Sequence, residues 1–301
     1  MKKLLTSLLS IAVVSLTWSP APVTGQGVDL QGLIDSAEPG EVVRVPAGIY
    51  RGNFILKPGM ILMGEGAETT VLDGNGRGPV LTASGGGVIK GLTVTDGIEG
   101  IKSAGGMIGI FDCVITANKG DGIRCAPGGC LLVNNIIDSS VAISVARASC
   151  LAVNNTVTGG RTGIRFWKSS RVRAVNNIVI DSGRALELDD ETEPELTNNI
   201  FFNNEFSDSV PIEENLFVDP DCRKDESGIY RLPPAASAQT MGVPVENIPP
   251  RLTAAVGSLL PDSLTADECR NLIETVEEEL LLSRPLVTYR LLDEAGYFEV
   301  R

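Results

Sequence analysis

Side chains suited to acid–base chemistry and to binding a flat polar ring are concentrated between residues 165 and 190. Two carboxyl groups on either side of a glycosidic bond can act as acid and base in its hydrolysis. An indole ring offers a flat apolar surface to a sugar ring, and Arg or Lys donates hydrogen bonds to polar groups around it. The candidate catalytic residues are Arg165, Glu187, Asp189 and Asp190. The candidate binding residues are Lys102, Arg124, Trp167 and Lys168.

The composition excludes several other kinds of active site. The 301-residue chain contains no histidine, which excludes Ser–His triads, Cys–His pairs and histidine-ligated zinc. It has no Cys-x-x-Cys pair, so the sequence predicts no metal site. With a formal net charge of -13, the chain is a poor general binder of nucleic acid.

The first 25 residues have the composition of a secretory signal peptide. Lys2 and Lys3 are followed by an apolar, uncharged stretch over residues 4–18 and by small residues at 23–25. The alternative, a membrane anchor, requires about 20 apolar residues, and no later segment is suited to span a membrane. We therefore expect an exported protein that is periplasmic, cell-surface or secreted.

A six-residue motif recurs at nearly constant spacing from residue 88 onwards. Its fourth positions are 90, 112, 134, 154, 176 and 198, at steps of 22, 22, 20, 22 and 22. A second register keeps step with the first through Ile101, Ile123, Ile143, Ile164 and Leu186. A repeat of this length, with short β runs and polar corners, predicts the stacked coils of a parallel β-helix.

Stacked coils place equivalent residues above one another, about 4.8 Å apart. The predicted corner column, expected to adopt a left-handed backbone and to stack its amides, is Gly91, Cys113, Asn135, Asn155, Asn177 and Asn199. Two predicted inward columns are Ile108, Cys130, Cys150 and Val172, and Ile101, Ile123, Ile143 and Ile164. By alternation, two outward columns are Lys102, Arg124, Ser144, Arg165 and Glu187, and Ala104, Ala126, Ala146, Trp167 and Asp189. Most of the candidate residues are therefore expected on one face.

The segments around the repeat resemble those of a known family. A short amphipathic helix at 30–37 is suited to cover the first coil. Two β-rich runs, 40–50 and 56–74, follow it before the repeat. This order resembles the amino-terminal half of right-handed parallel β-helix proteins of the pectate-lyase-like and NosD-like kind. Segments 215–221 and 228–244 resemble closing coils of the same exported proteins. The resemblance covers about residues 28–245 and implies an all-β, right-handed parallel β-helix.

The resemblance also implies where a ligand would bind. Polysaccharide lyases and hydrolases of this fold bind ligands along a comparable strand face, and acidic groups beside an arginine could hold calcium and remove a sugar proton. Calcium is therefore the one cofactor considered, and only for a lyase. Neither catalytic pattern is matched, because Asp189 and Asp190 lack the surrounding hydrolase motifs and no calcium triad lies beside a basic residue. In the alternative interpretation, Arg165 and Glu187 form a cross-strand ion pair.

The chain after the repeat has a different pattern. We divide the sequence into a signal peptide (1–25), a β-helix domain (26–245) and a short helical extension (246–301). Prolines 249, 250 and 261 predict a linker, and Thr265 with Glu268 forms a capping box that opens a helix to about residue 282. The predicted apolar face of this helix is Cys269, Leu272, Ile273, Val276 and Leu280.

The extension is expected to pack on the solenoid. Its helix should dock on the flank or on the final coil, with 285–292 and 297–301 as further pieces, and a separate partner-binding tail is the alternative. Cys130 and Cys150 are expected to be small core residues. A disulfide between Cys222 and Cys269 is the alternative link between tail and solenoid.

Two functional hypotheses follow. The first is recognition or processing of a polysaccharide on the outward strand face, and the second is a non-catalytic cell-envelope scaffold or adhesin. Assistance in metal assembly, the NosD-like role, is disfavoured because a chain with no histidine and five methionines has few side chains suited to bind copper.

Overall fold

A computed structural model describes residues 27–168, 171–205, 213–226, 229–258 and 264–282, with side chains to 276 in the last range. The chain forms a right-handed parallel β-helix with three strand faces, as the repeat and the resemblance predict. The predicted signal peptide at 1–25 and the segments 285–292 and 297–301 lie outside the described residues. Within the described ranges, no helix is long and apolar enough to cross a membrane.

Face A is an eight-stranded parallel sheet. Its strands are Val42–Val45 (β1), Met60–Gly64 (β4), Gly87–Lys90 (β7), Met107–Phe111 (β10), Gly128–Val133 (β12), Ala148–Val153 (β14), Val172–Val175 (β17) and Glu195–Thr197 (β20). Faces B and C belong to one 13-stranded sheet, because two long strands continue from face B into face C. Those two strands are Val114–Cys125 (β11) and Ile136–Ala146 (β13).

The other strands of that sheet belong to one face each. Face B adds Gly48–Arg51 (β2), Thr70–Asp73 (β5), Thr93–Thr95 (β8), Thr156–Thr158 (β15), Ile178–Ile180 (β18) and Ile200–Phe202 (β21). Face C adds Phe54–Leu56 (β3), Pro79–Ala83 (β6), Glu99–Ser103 (β9), Thr162–Trp167 (β16) and Arg184–Leu188 (β19). A separate antiparallel hairpin joins Arg223–Lys224 (β22) to Tyr230–Arg231 (β23).

The strand register confirms the predicted inward columns. Ile101, Ile123, Ile143, Ile164 and Leu186 are level from coil to coil, and so are Ile108, Cys130, Cys150 and Val172. These side chains are buried in one continuous core. One predicted alignment is wrong: Lys90 is level with Phe111 and not with Asp112, so the first step of the motif is 21 residues.

At the corner between faces A and B, the left-handed backbone conformation is not at the predicted positions. The left-handed residues are Gly91, Asp112, Asn134, Asn154, Asn176 and Asn198, with φ between 51° and 63°. Apart from Gly91, each precedes the position that we predicted, because either of two adjacent asparagines can adopt this conformation.

The predicted stacking of amides is confirmed at the second asparagine of each pair. Asn135 Nδ2 donates to Asn155 Oδ1 over 2.9 Å. The same bond continues the ladder through Asn177, Asn199 and Asn215. Cys113 occupies the ladder position one coil earlier, where its N–H donates to Asn135 Oδ1 and its thiol to the Phe111 carbonyl. Cys113 therefore replaces asparagine as a small buried donor.

The first coil is covered by the predicted helix, Leu30–Ser36 (α1). Leu30 and Ile34 are buried against the core, and Asp29 caps the helix by accepting from the Gly32 N–H. The Gln31 amide bonds both the N–H and the carbonyl of Ile55, at 2.9 and 3.2 Å. One side chain thus supplies the hydrogen bonds that a neighbouring strand would make to β3.

The predicted closing segment 215–221 begins by continuing the stack through Asn215 and Leu216, whereas the described residues of 228–244 differ from a closing coil. Leu216 forms a single parallel bridge with Ile200, after which the chain forms the β22–β23 hairpin and a 3-10 helix, Ser237–Thr240. Residues 241–258, here called the strap, then run back across the coils. The predicted proline linker lies within the strap, where Pro250–Thr253 forms a short helix (α2) with Leu252 buried.

The strap follows the corner between faces A and B. Asn198 Nδ2 donates to the Met241 carbonyl and Asn176 Nδ2 to the Val243 carbonyl, both over 2.8 Å. Further contacts join Asn154 to Leu252 and Ala255, and Asn134 to Ser258. The first asparagine of each pair therefore anchors the strap while the second forms the ladder.

The last described helix, Ala266–Leu282 (α3), begins at the predicted capping box. The Thr265 N–H donates to Glu268 Oε2 over 2.7 Å, and the Glu268 N–H donates to Thr265 Oγ1 over 3.2 Å. The predicted apolar side chains Cys269, Leu272, Ile273 and Val276 are buried against face A, which confirms docking on the flank. The side chain of Leu280 lies outside the described residues.

All six cysteines are buried and free. Cys130 and Cys150 are core residues, as predicted. The alternative of a Cys222–Cys269 disulfide is wrong, because the two side chains pack in separate apolar clusters.

Candidate functional site

The outward surface of face C brings most of the candidate residues together. Lys102, Arg124, Ser144, Arg165 and Glu187 are level on five successive coils. Their strand neighbours, such as Ile123 and Phe166, point into the core, and alternation along the strand turns the charged side chains outward. The predicted column is confirmed.

Arg165 and Glu187 form an ion pair across β16 and β19. Nε and Nη2 of Arg165 both lie 3.1 Å from Glu187 Oε2, and Thr162 Oγ1 donates to the same oxygen over 3.1 Å. Arg161 Nη1 lies 3.9 Å away. Burial opposes ionisation of Glu187, but the hydrogen bond and charge of Arg165, aided by Thr162, outweigh it and lower the pKa. Glu187 is therefore ionised at neutral pH and is poorly suited to donate a proton.

Asp189 is held at the end of β19. Its Oδ1 accepts from Thr192 Oγ1 and its Oδ2 from the Lys168 N–H, both over 2.7 Å. The Thr192 hydrogen bond is the main cause of a lowered pKa for this carboxyl. The neighbouring Asp190 is exposed, and Lys168 Nζ lies 3.7 Å from Glu191. Asp189 thus links the chain after β19 to the end of β16.

Trp167 is the large exposed aromatic residue of this face. Its side chain is 52% exposed at the end of β16, level with the small residue Ala146 on the preceding coil. Lys168 follows it with a left-handed backbone, and the exposed Arg161 lies at the other end of the strand. The indole therefore stands beside the small residue Ala146, with Lys168 as the cationic residue next to it in the chain.

The other candidate cations lie on earlier coils. Arg124 Nη1 lies 2.7 Å from Glu99 Oε1, and this hydrogen bond raises the pKa of the guanidinium. Lys102 is half-buried one coil earlier. These residues share the face with Trp167 but lie two and three coils from it.

Asp121 is a site residue that sequence reasoning missed. Burial raises the pKa of its carboxyl, while Arg165, Arg124 and a hydrogen bond with Ser144 oppose the shift. Asp121 lies where β11 bends from face B into face C, and the β11–β13 register is irregular between Thr116 and Asp121. Simple alternation does not predict side-chain direction there, so no pattern in the sequence points to this residue.

Taken together, Glu187 and Asp189 are engaged by neighbouring donors, whereas the indole presents a broad surface. No group of three or more His, Cys, Asp or Glu side chains is placed to hold a metal ion within the described ranges. The arrangement can stack on a flat apolar ring and donate hydrogen bonds around it.

A comparison with protein-family models agrees with the architecture. The family model "Right handed beta helix region" matches residues 78–216. The strand topology and this match give the chain the fold of a right-handed parallel β-helix. Among solved structures, it is similar to an alginate lyase from Paenibacillus sp. str. FPU-7, with 17% sequence identity, a TM-score of 0.40, and coverage of 58% of this chain and 74% of that one. No curated protein matches the chain.

Proposed function

We propose that the protein recognises a polysaccharide on the outward surface of face C. The observation that carries the proposal is the 52% exposed Trp167 beside the small residue Ala146. The apolar face of a pyranose ring stacks on such an indole, and Lys168, the next residue in the chain, supplies a donor near its edge. The basic start and apolar stretch of residues 1–25 support export, which would bring the protein to envelope or extracellular polysaccharides.

Recognition without cleavage is the form of this function that we propose. Glu187 and Asp189 both have lowered pKa values because neighbouring groups donate hydrogen bonds to them. A general acid needs a proton at working pH, and these carboxyl groups favour the ionised form. Incubation of the protein with acidic and neutral polysaccharides, with and without calcium, should release neither unsaturated products nor reducing ends. Product release that Glu187→Gln abolishes would show catalysis.

Binding tests the role of Trp167 directly. We expect Trp167→Ala to weaken polysaccharide binding at least about tenfold, which corresponds to about 1.4 kcal/mol, because the stacking surface is removed. Glycan-array screening followed by calorimetry on the responding polysaccharide measures the change. Phe217→Ala is the matched control, since Phe217 is 45% exposed but lies outside face C. Unchanged binding by Trp167→Ala would remove face C from the proposal.

The second candidate function is a non-catalytic scaffold or adhesin of the cell envelope. The ion pairs of Arg165 with Glu187 and of Arg124 with Glu99 favour this candidate. They bind neighbouring strands to each other, so these charged groups are not available to a ligand. Absence of binding across a broad set of polysaccharides would favour this candidate over recognition.

A further inference from the structure

A cavity lies away from face C, where the β22–β23 hairpin meets the end of face B. Its volume is about 290 Å³. Ile180 and Phe202 supply apolar walls, and the polar walls include Asp181, Asp219, Arg223, Lys224 and Tyr230. The proposal for face C uses none of these residues.

Asp181 is a fixed acceptor in the wall. Tyr230 donates its hydroxyl proton to Asp181 Oδ2, and Asn203 Nδ2 donates to Asp181 Oδ1, both over 2.5 Å. Burial, then the hydrogen bond and charge of Asp181, raise the pKa of Tyr230 to about 12, so the phenol keeps its proton at neutral pH. Each carboxylate oxygen retains acceptor capacity for a further hydroxyl group.

The cations of the cavity complement its carboxylates. Arg223 bonds Asp221 over 2.8 Å and approaches Asp219 at 3.4 Å. Lys224 Nζ lies 4.9 Å from the centroid of the Tyr230 ring and, among the residues that the structure describes, has no carboxylate within 4 Å. The cavity therefore combines fixed acceptors with an ammonium group that forms no ion pair within 4 Å in the described part of the chain, although its charge acts on Asp138.

We propose that this cavity binds one uncharged sugar ring. The two cations Arg223 and Lys224 face the carboxylates Asp181 and Asp219 in the wall, with Asp138 and Asp221 beside it, so carboxylates outnumber cations and a neutral polyhydroxylated ligand is favoured over an anion. Ile180 and Phe202 contact its apolar face, Asp181 accepts from its hydroxyl groups, and Lys224 donates to them. Ligand sites commonly measure about 300–1,000 Å³, so a cavity at the lower limit suits a single ring. This site is independent of recognition on face C.

The test is a chemical-shift titration of the full chain with glucose, galactose and mannose, and with glucuronate and galacturonate as charged counterparts. We expect at least one neutral hexose to bind with a Kd of about 10 mM or tighter, and its uronate to bind more weakly. Asp181→Asn, which suits the left-handed backbone at this position, and Lys224→Gln should each weaken hexose binding at least about fivefold.

Two controls separate this proposal from the one for face C. Trp167→Ala should leave hexose binding unchanged, and Asp35→Asn, on the exposed surface of α1, serves as the matched carboxylate control. Circular dichroism establishes that the variants are folded. Absence of hexose binding, tighter binding of the uronates, or loss of binding in Trp167→Ala alone would each overturn the assignment, whatever the outcome for polysaccharide binding.

Discussion

Two carboxyl groups on face C have pKa values that are shifted in opposite directions. Glu187 is engaged by Arg165 and Thr162, and its pKa is lowered. Asp121 is half-buried at the bend of β11, and its pKa is raised although Arg165 and Arg124 lie near. For Asp121, the loss of hydration therefore outweighs the nearby positive charges.

This difference predicts stability changes of opposite sign. Because its pKa is lowered on folding, Glu187 stabilises the fold above its unfolded value of 4.5, and this contribution is lost as the pH falls through the folded value. Glu187→Gln should therefore lower the free energy of unfolding by about 0.5–1 kcal/mol at pH 7, with little effect in acid. Urea unfolding across the acidic range measures the change. Equal destabilisation at every pH would show that packing, not charge, is responsible.

Asp121 should behave in the reverse way. Its raised pKa stabilises the fold below the unfolded value of 3.8, and this contribution is lost as the pH rises through the folded value. We expect Asp121→Asn to raise the free energy of unfolding at pH 7 and to give no gain below about pH 3.8. The same unfolding series serves both variants, and destabilisation by Asp121→Asn at neutral pH would contradict this account.

The sequence predicts the residues of face C because strict alternation governs regular strands. Lys102, Arg124, Arg165 and Glu187 lie where that rule places them. Asp121 could not be predicted, since its backbone is irregular. The sequence also could not predict which of Asn134 and Asn135 adopts the left-handed conformation, because asparagine is suited to both the corner and the ladder.

At the scale of elements, the contact between α3 and face A depends on a glycine. A Cβ atom at Gly109 on β10 would overlap the Ile273 side chain of α3 and the ring of Phe111. Both neighbours belong to the apolar cluster that joins the helix to the sheet. The missing side chain therefore lets α3 lie close to the strand.

Replacing this glycine should loosen the helix. We expect Gly109→Ala to speed hydrogen exchange in α3 and to reduce stability by about 1–3 kcal/mol, as overpacking does in cores. Gly129→Ala is the control, because its added Cβ meets the end of the adaptable Met107 side chain. Exchange measured by mass spectrometry should change more in α3 for Gly109→Ala than for Gly129→Ala. Equal rates would contradict the proposed contact.

Local rules predict α3 but not the strap. The Thr265–Glu268 capping box is encoded within four residues, and the structure begins the helix there. The strap depends on bonds between its carbonyl groups and asparagines as many as 103 positions away, as in the bond from Asn154 to the Gly257 carbonyl. Spacing cannot reveal such contacts, so its prolines suggested only a linker.

For the whole molecule, the open ends of the stack are the sites at which another chain could add. Gln31 occupies one such edge by bonding both backbone groups of Ile55. The stacked architecture itself is predictable from the repeat, because identical spacing in two registers leaves few alternatives. The closure of its ends is not predictable, since it uses irregular segments.

Opening this edge should promote association. We expect Gln31→Ala to increase the fraction of larger species with protein concentration, because β3 then presents unpaired N–H and carbonyl groups. Size-exclusion chromatography with light scattering measures the effect. Gln239→Ala removes an amide that bonds the Pro233 carbonyl elsewhere and should behave like the wild-type protein. Identical profiles for both variants would show that the helix covers the edge without this side chain.

The strap also limits how the protein can grow. Nothing in a repeating stack restricts its number of coils, and a duplicated 22-residue unit could extend the ladder with its hydrogen bonds intact. The strap, however, meets Asn198 through Met241, Asn176 through Val243 and Asn134 through Ser258. An inserted coil would increase the distance between these asparagines along the stack, whereas the strap residues that bond them would keep their spacing. The length of the strap therefore limits the number of coils that it can cross. A relative with an additional coil would need a longer strap.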